Sequence, residues 1–131
     1  MSDCPFCSIP TNSTESVVAQ NEYCYLLDNP EGSLQHGLLI IPFRHIETPF
    51  EFSPEEWASL QPLIHHAHDV LSRHNPDGFN LGWNVGRIGG QEVAHVHLHV
   101  MARFSDEPFA GSGIRRWFKS DENQRPKDKK A

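Results

Sequence analysis

The stretch His95-Val96-His97-Leu98-His99-Val100-Met101 decides how this chain is read, because its histidines recur at every second position with only apolar residues between them. Successive side chains of a β-strand point to opposite faces, so this alternation predicts a strand, spanning Val93 to Arg103, with a chemical face. His95, His97 and His99 line that face, while Val96, Leu98 and Val100 line the other. Imidazole attacks, donates or accepts a proton near neutral pH, so a row of imidazoles points to a reaction site. A metal held by the whole row fits poorly. A strand rises about 3.3 Å per residue, which sets the outer two histidines about 13 Å apart, whereas metal–nitrogen bonds are about 2.1 Å. Two neighbours could share an ion, but the spacing favours different roles, such as nucleophile, acid and orienting partner.

Gly86, Gly89 and Gly90 precede this strand in one short loop, and a glycine-rich loop lets backbone N–H groups approach an anion closely. Asn75-Pro76-Asp77-Gly78 is a turn, and Phe79 to Val85 read as the strand entering that loop. Upstream, Ser53-Pro54-Glu55-Glu56 carries a cap, a first-turn proline and a capping-box glutamate. Trp57, Leu60, Leu63, Ile64, Ala67, Val70 and Leu71 then recur at helical spacing, predicting one long amphipathic helix that Pro62 kinks without ending. His65, His66, His68 and His74 fall on scattered faces of that helix and take no chemistry. Val17–Gln20 and Cys24–Leu27 read as a hairpin about Asn21-Glu22, residues 28–33 as a loop, and Leu38–Ile41 as a buried strand stopped by Pro42. The fold class is therefore α+β, an antiparallel sheet of five strands with one long helix.

A chain of 131 residues is large enough for one core and too short for two ordinary domains. We expect a domain over 1–114 and a basic C-terminal tail over 115–131, partly disordered. Residues 1–114 hold four Lys/Arg against fourteen Asp/Glu, net −10, and residues 115–131 hold seven against three, net +4. An acidic body argues against nucleic acid as a partner. No run of 18 apolar residues exists, the N-terminus has no apolar signal core, and three cysteines do not form a secreted disulfide framework, so a cytoplasmic protein with no membrane partner is expected. Cys24 reads as a buried apolar residue. The Cys4-Pro5-Phe6-Cys7 pair suits glutaredoxin-like redox chemistry only after a strand and at a helix start, a context its N-terminal place does not supply.

Residues 95–101 fit the His-φ-His-φ-His-φ-φ signature, with φ apolar, at every position, and on this ground the chain resembles the histidine triad family of nucleotide hydrolases and transferases. Asn84 with Gly89-Gly90-Gln91-Glu92-Val93 is similar to the family's Asn and Gly-Gln-(Ser/Thr)-Val segment. Ile41-Pro42-Phe43-Arg44-His45 is similar to its Ile-Pro-(Lys/Arg)-His segment, and Asp28 follows an apolar strand as in the family. The likeness spans about residues 4–104.

The resemblance implies a homodimer acting on a small-molecule nucleotide. His97 would attack the α-phosphorus and form a covalent nucleotidyl-histidine, His99 would contact the phosphate or leaving group, and His95 would orient His97. Asp28 would bind the ribose, Asn84 the phosphate, and Gly90, Gln91, Glu92 and Val93 the charge developing on the phosphoryl oxygens. The reaction implied is hydrolysis of a nucleoside phosphoramidate or a dinucleoside polyphosphate; nucleotidyl transfer and a nucleotide-binding regulatory module with little turnover are the alternatives. Some members also carry a structural Zn2+, for which Cys4, Cys7, His45 and His95 would be the ligands, so His95 is claimed by both roles. The chain departs from the pattern at Glu92, an anion where the family carries a hydroxyl, and at His36-Gly37, where many members have the reverse order.

Overall fold

The computed structural model describes residues 3–12, 16–28 and 36–126. Five strands, β1 (Val17–Gln20), β2 (Cys24–Leu27), β3 (Gly37–Pro42), β4 (Gly78–Gly82) and β5 (Leu98–Arg103), form one sheet in the order β1-β2-β3-β5-β4. Every neighbouring pair is antiparallel. Helix α1 (Pro5–Asn12) precedes the sheet, and the long helix α2 (Pro54–Ser72) links β3 to β4. This is the α+β architecture that the apolar periodicities predict.

Side-chain alternation on β5 divides the molecule into two layers. Leu98, Val100 and Ala102 join Leu26, Leu38 and Ile40 on one face, and the face packs on Leu60, Leu63, Ala67 and Leu71 of α2. Tyr25, Leu27, Leu39 and Ile41 point to the other face, where Phe6 of α1 covers them. Strands β2 and β3 are thus buried on both sides, which is why they read as continuous apolar runs. The register aligns Leu27, Leu39, His99 and Gly82 in one row across the sheet, so His99 belongs to the α1 face, opposite α2.

Three elements differ from the sequence reading. Helix α1 is unforeseen, because Pro5 and Pro10 within eight residues give little helical propensity. It is held by tertiary contacts instead: Phe6 is 6% exposed and the Tyr25 hydroxyl donates to the Phe6 carbonyl at 2.6 Å. The triad strand starts at Leu98 rather than Val93. The β3–β5 ladder ends at Ile40–Leu98, close to Pro42, and the segment before it turns through a bond from the His95 N–H to the Val93 carbonyl. Strand β4 stops at Gly82, three residues earlier than expected, and His74 lies in the turn after α2. Within the expected tail, residues 115–126 form turns and a 3-10 helix at Asp121–Asn123, whereas 127–131 lie outside the described residues, as does most of the loop expected at 28–33.

Helix α2 begins as its sequence dictates. Ser53 Oγ accepts from the Glu56 N–H at 3.0 Å, and Glu56 Oε1 accepts from the Ser53 N–H at 2.8 Å. Glu56 is only 3% exposed, and Arg44, two residues past β3, donates to it through Nε at 3.1 Å and Nη2 at 2.7 Å. The same guanidinium donates to the Glu51 carbonyl at 2.9 Å, so one ion pair locks the β3–α2 connection that carries His45. The hydrogen bond from Arg44 holds the Glu56 carboxyl below its ordinary pKa of 4.5. Its contribution is therefore complete above that value and is lost as pH falls through the depressed one. Arg44→Ala is expected to lower the free energy of unfolding by about 1–3 kcal/mol, since it removes the counter-charge of a buried carboxylate and leaves it only the Ser53 N–H, while Arg44 itself is half exposed. Urea titrations over the acid range check this: the difference between parent and variant shrinks as Glu56 protonates, and parallel stability curves would contradict the assignment.

Candidate active site

His97 is 9% exposed and lies just before β5, with its Nδ1 at 2.8 Å from the His95 carbonyl oxygen. A carbonyl only accepts, so Nδ1 carries the proton and the lone pair of the neutral ring sits on Nε2. The ring is fixed on two further sides, by the edge of Phe6 at 5.0 Å and by the His99 ring at 5.0 Å between centroids. Burial pushes His97 below the ordinary value of 6.5, partly offset by its bond to the His95 carbonyl and by the charge of Glu92. His97 is therefore a neutral imidazole at pH 7 with a defined nucleophilic nitrogen. His99 is also held below 6.5, first by burial and then by His97. Its Nε2 is buried without a hydrogen-bond partner among the described residues.

His95 stays on the α1 side with the other two histidines, its ring centroid 6.0 Å from that of Phe6, which also meets His97. It lies in a bend before the strand, is fully buried, and turns its ring toward the N-terminal cysteines. Its Nε2–H donates to the Pro42 carbonyl at 2.8 Å, which leaves Nδ1 at 3.4 Å from Cys4 Sγ and 3.6 Å from Cys7 Sγ. Cys7 Sγ is also 3.2 Å from His45 Nδ1, and the ligand atoms of Cys4, Cys7, His45 and His95 all fall within 4.8 Å of one another. Around a tetrahedral ion with metal–sulfur bonds of about 2.3 Å and metal–nitrogen bonds of about 2.1 Å, sulfur and nitrogen ligands stand about 3.6 Å apart. The observed separations suit that geometry, and the His95 bond to Pro42 is the outer contact that orients a ligating imidazole. These residues could hold a metal. The cysteine pair does open a helix, and both thiols stand beside histidine rings, Cys4 at His95 and Cys7 at His45 and His95.

The loop from Gly86 to Val93 is built around Gln91. Its Oε1 accepts from the Gly86 N–H at 2.8 Å, and its Nε2 donates to the Glu47 carbonyl at 2.8 Å and the Val93 carbonyl at 3.0 Å. The Gln91 side chain is thus bonded to three backbone groups of the chain. A Cβ at Gly89 would stand 2.3 Å from the Val85 carbonyl oxygen, and Gly90 has φ of +97°, so glycine is required at both. The Asn84 side chain packs on Gly90, with Cγ 3.6 Å from the position a Cβ would take. Glu92 is exposed beside this loop, while Val93 tucks its side chain into the Phe6–Tyr25 cluster. Asp28 is exposed at the end of β2, one residue past the row that contains His99, and its N–H donates to the Ser16 carbonyl at 2.9 Å. Sequence reasoning missed Phe6, the Pro42 carbonyl and the Glu47 carbonyl. Only Phe6 left a signal, as the aromatic residue inside the cysteine pair.

Known proteins resemble this chain in sequence and in fold. Residues 10–106 match the HIT domain family. Adenosine 5'-monophosphoramidase of Schizosaccharomyces pombe is 32% identical over 112 residues, covering 84% of this chain and 81% of that protein. An uncharacterized HIT-like protein of Methanocaldococcus jannaschii is 31% identical over 107 residues, 79% of this chain and 81% of the relative. Among solved structures, a HIT family member from Bacillus subtilis superposes with a TM-score of 0.70 at 26% identity, covering 79% of this chain and 75% of that one. One from Bacillus anthracis gives 0.69 at 25%, covering 92% and 89%. Fold, triad and likeness agree, and the chain belongs to the histidine triad (HIT) family.

Proposed function

We propose that this protein cleaves a nucleoside phosphoramidate or a dinucleoside polyphosphate by nucleophilic catalysis at His97. The observation that carries the reading is the bond from His97 Nδ1 to the His95 carbonyl, which leaves a buried, neutral Nε2 as the attacking atom. In the first step Nε2 bonds to the α-phosphorus and the bond to the leaving group breaks, with the leaving group taking up a proton. In the second, water bonds to phosphorus, the phosphorus–nitrogen bond breaks, a proton leaves the water, and a nucleoside monophosphate is released. His99 contacts the phosphate or leaving group, and its unpartnered Nε2 supports that role. Asp28 binds the ribose, Asn84 and the backbone N–H groups of Glu92 and Val93 hold the phosphate, and Gly90 lets the loop take the shape that presents them. Gln91 acts by positioning that loop. His95 orients the nucleophile through its main-chain carbonyl while its ring serves the cysteine cluster.

Support at the family level comes from relatives named adenosine 5'-monophosphoramidase, adenylylsulfatase and AP-4-A phosphorylase, the last of which this chain spans over 55% of its length. The structure contains no helix long and apolar enough to cross a membrane among the described residues. A second copy pairing at the free edge of β4 completes the reading as a homodimer.

Incubation with adenosine phosphoramidate and with diadenosine tetraphosphate tests the assignment. His97→Ala is expected to slow release of AMP by about a thousand-fold or more. Equal release by parent and variant would refute the nucleophile, and no release by either would favour a binding module. We further propose that Cys4, Cys7, His45 and His95 hold a structural Zn2+ that fastens α1 to the active segment. Purified protein is expected to carry one zinc per chain, and Cys4→Ser to lose it with a lower thermal midpoint. Zinc-free parent protein after reconstitution under reducing conditions would contradict this.

A further inference from the structure

The C-terminal segment builds a cationic pocket on the same face of the sheet as the triad. Arg103, two positions beyond Met101 on that face, anchors it: its guanidinium donates to the Asn80 side chain, to the Ser112 carbonyl at 2.8 Å and to the Phe109 carbonyl at 2.9 Å. Glu107 accepts from Arg103 Nε at 2.9 Å and from the Phe104 N–H at 2.7 Å, closing the turn. The segment so held puts Ile114 Cδ1 3.6 Å from where a Cβ of Gly82 would lie, and Gly82 is the residue paired with His99. Asn80, paired with Met101, is the next residue on that face, about 7 Å along the strand.

Here Asn80, Ile114, Arg115, Arg116 and Lys119 line a cavity of about 310 Å³, within the range of small-ligand sites. None of the three cations makes an ion pair among the described residues. Arg116 is nevertheless held in place, donating to Ser112 Oγ at 2.8 Å and lying 5.0 Å over the Trp117 ring. Residues 1–114, by contrast, carry four cations against fourteen anions. Three positive charges that form no ion pair among the described residues are thus a local exception in an acidic protein, and such an exception concentrates an anion against the overall field.

We infer that this pocket is an oligophosphate subsite, taking the phosphates of the leaving group when a nucleotide's α-phosphorus lies at His97. The inference rests on the nucleotide-cleavage reading for the identity of its occupant, but the pocket can be tested without turnover. A phosphoramidate, whose leaving group is an amine, has nothing to place there. The site therefore directs the enzyme toward substrates with two or more phosphates beyond the scissile bond.

The full chain, with Arg115→Ala, Arg116→Ala and Lys119→Ala combined, is compared with the parent and with a charge-conserving Arg115→Lys, Arg116→Lys, Lys119→Arg variant. Calorimetry with inorganic tripolyphosphate is expected to show binding to the parent, retained by the charge-conserving variant and weakened about ten-fold or more in the alanine variant. The parent's affinity falls with added salt, as paired charges at a surface require. In kinetics, kcat/KM for diadenosine tetraphosphate drops about ten-fold further than kcat/KM for adenosine phosphoramidate. Absence of tripolyphosphate binding by the parent, or binding unchanged in the alanine variant, overturns the subsite. Equal falls for both substrates overturn its assignment to the leaving group. Should the parent cleave neither substrate, the cleavage reading fails, while the tripolyphosphate titration still decides the pocket.

Discussion

One buried residue, His95, joins three parts of this molecule that the sequence keeps far apart. Its ring nitrogen donates to Pro42 at the end of β3, its other ring nitrogen faces the thiols of Cys4 and Cys7, and its carbonyl accepts the Nδ1–H of His97. A carbonyl at that position can be satisfied by only one tautomer of neutral His97, so the ring nitrogen that keeps its lone pair is chosen by main-chain geometry rather than by an acidic partner. The carbonyl is held in turn because the His95 ring cannot rotate without losing both of its contacts. Substituting His95 would therefore affect two things at once, the fit of α1 on the sheet and the protonation pattern of the His97 imidazole.

The fold was legible where burial imposes a period. The α2 stripe, its capping box, the hairpin turn at Asn21 and the two-sided burial of β2 and β3 all follow from residue patterns. Helix α1 was not legible, because its formation depends on Phe6 docking against Tyr25 and on the cysteine cluster, contacts that span many residues. The triad itself was legible as a set and misleading as a strand. His-x-His-x-His suggests one continuous strand, yet the ladder begins only at Leu98, and the bend at Val93–His95 brings the first histidine beside Cys4 and Cys7. The same logic applies to Gln91, whose place in a phosphate-binding segment says nothing about which of its bonds the loop itself consumes.

The distribution of charge gives the site a direction. Glu92 bears on His97 from the glycine-loop side, while Arg115, Arg116 and Lys119 lie beyond His99 toward the β4 edge. On the proposed reading, an oligophosphate laid across the triad would meet negative charge on one side and positive charge on the other, which favours one orientation over its reverse; the charges lie outside the His-φ-His-φ-His motif.

The central claim is that His97 Nε2 becomes covalently bonded to the nucleotide. Single-turnover reaction with adenosine phosphoramidate, quenched in alkali to preserve a phosphorus–nitrogen bond and followed by mass spectrometry of the protein, tests it directly. The account predicts an adenylyl group that appears before AMP and maps to His97. An adenylyl group on another residue, or AMP released with no adduct at any time, would contradict it.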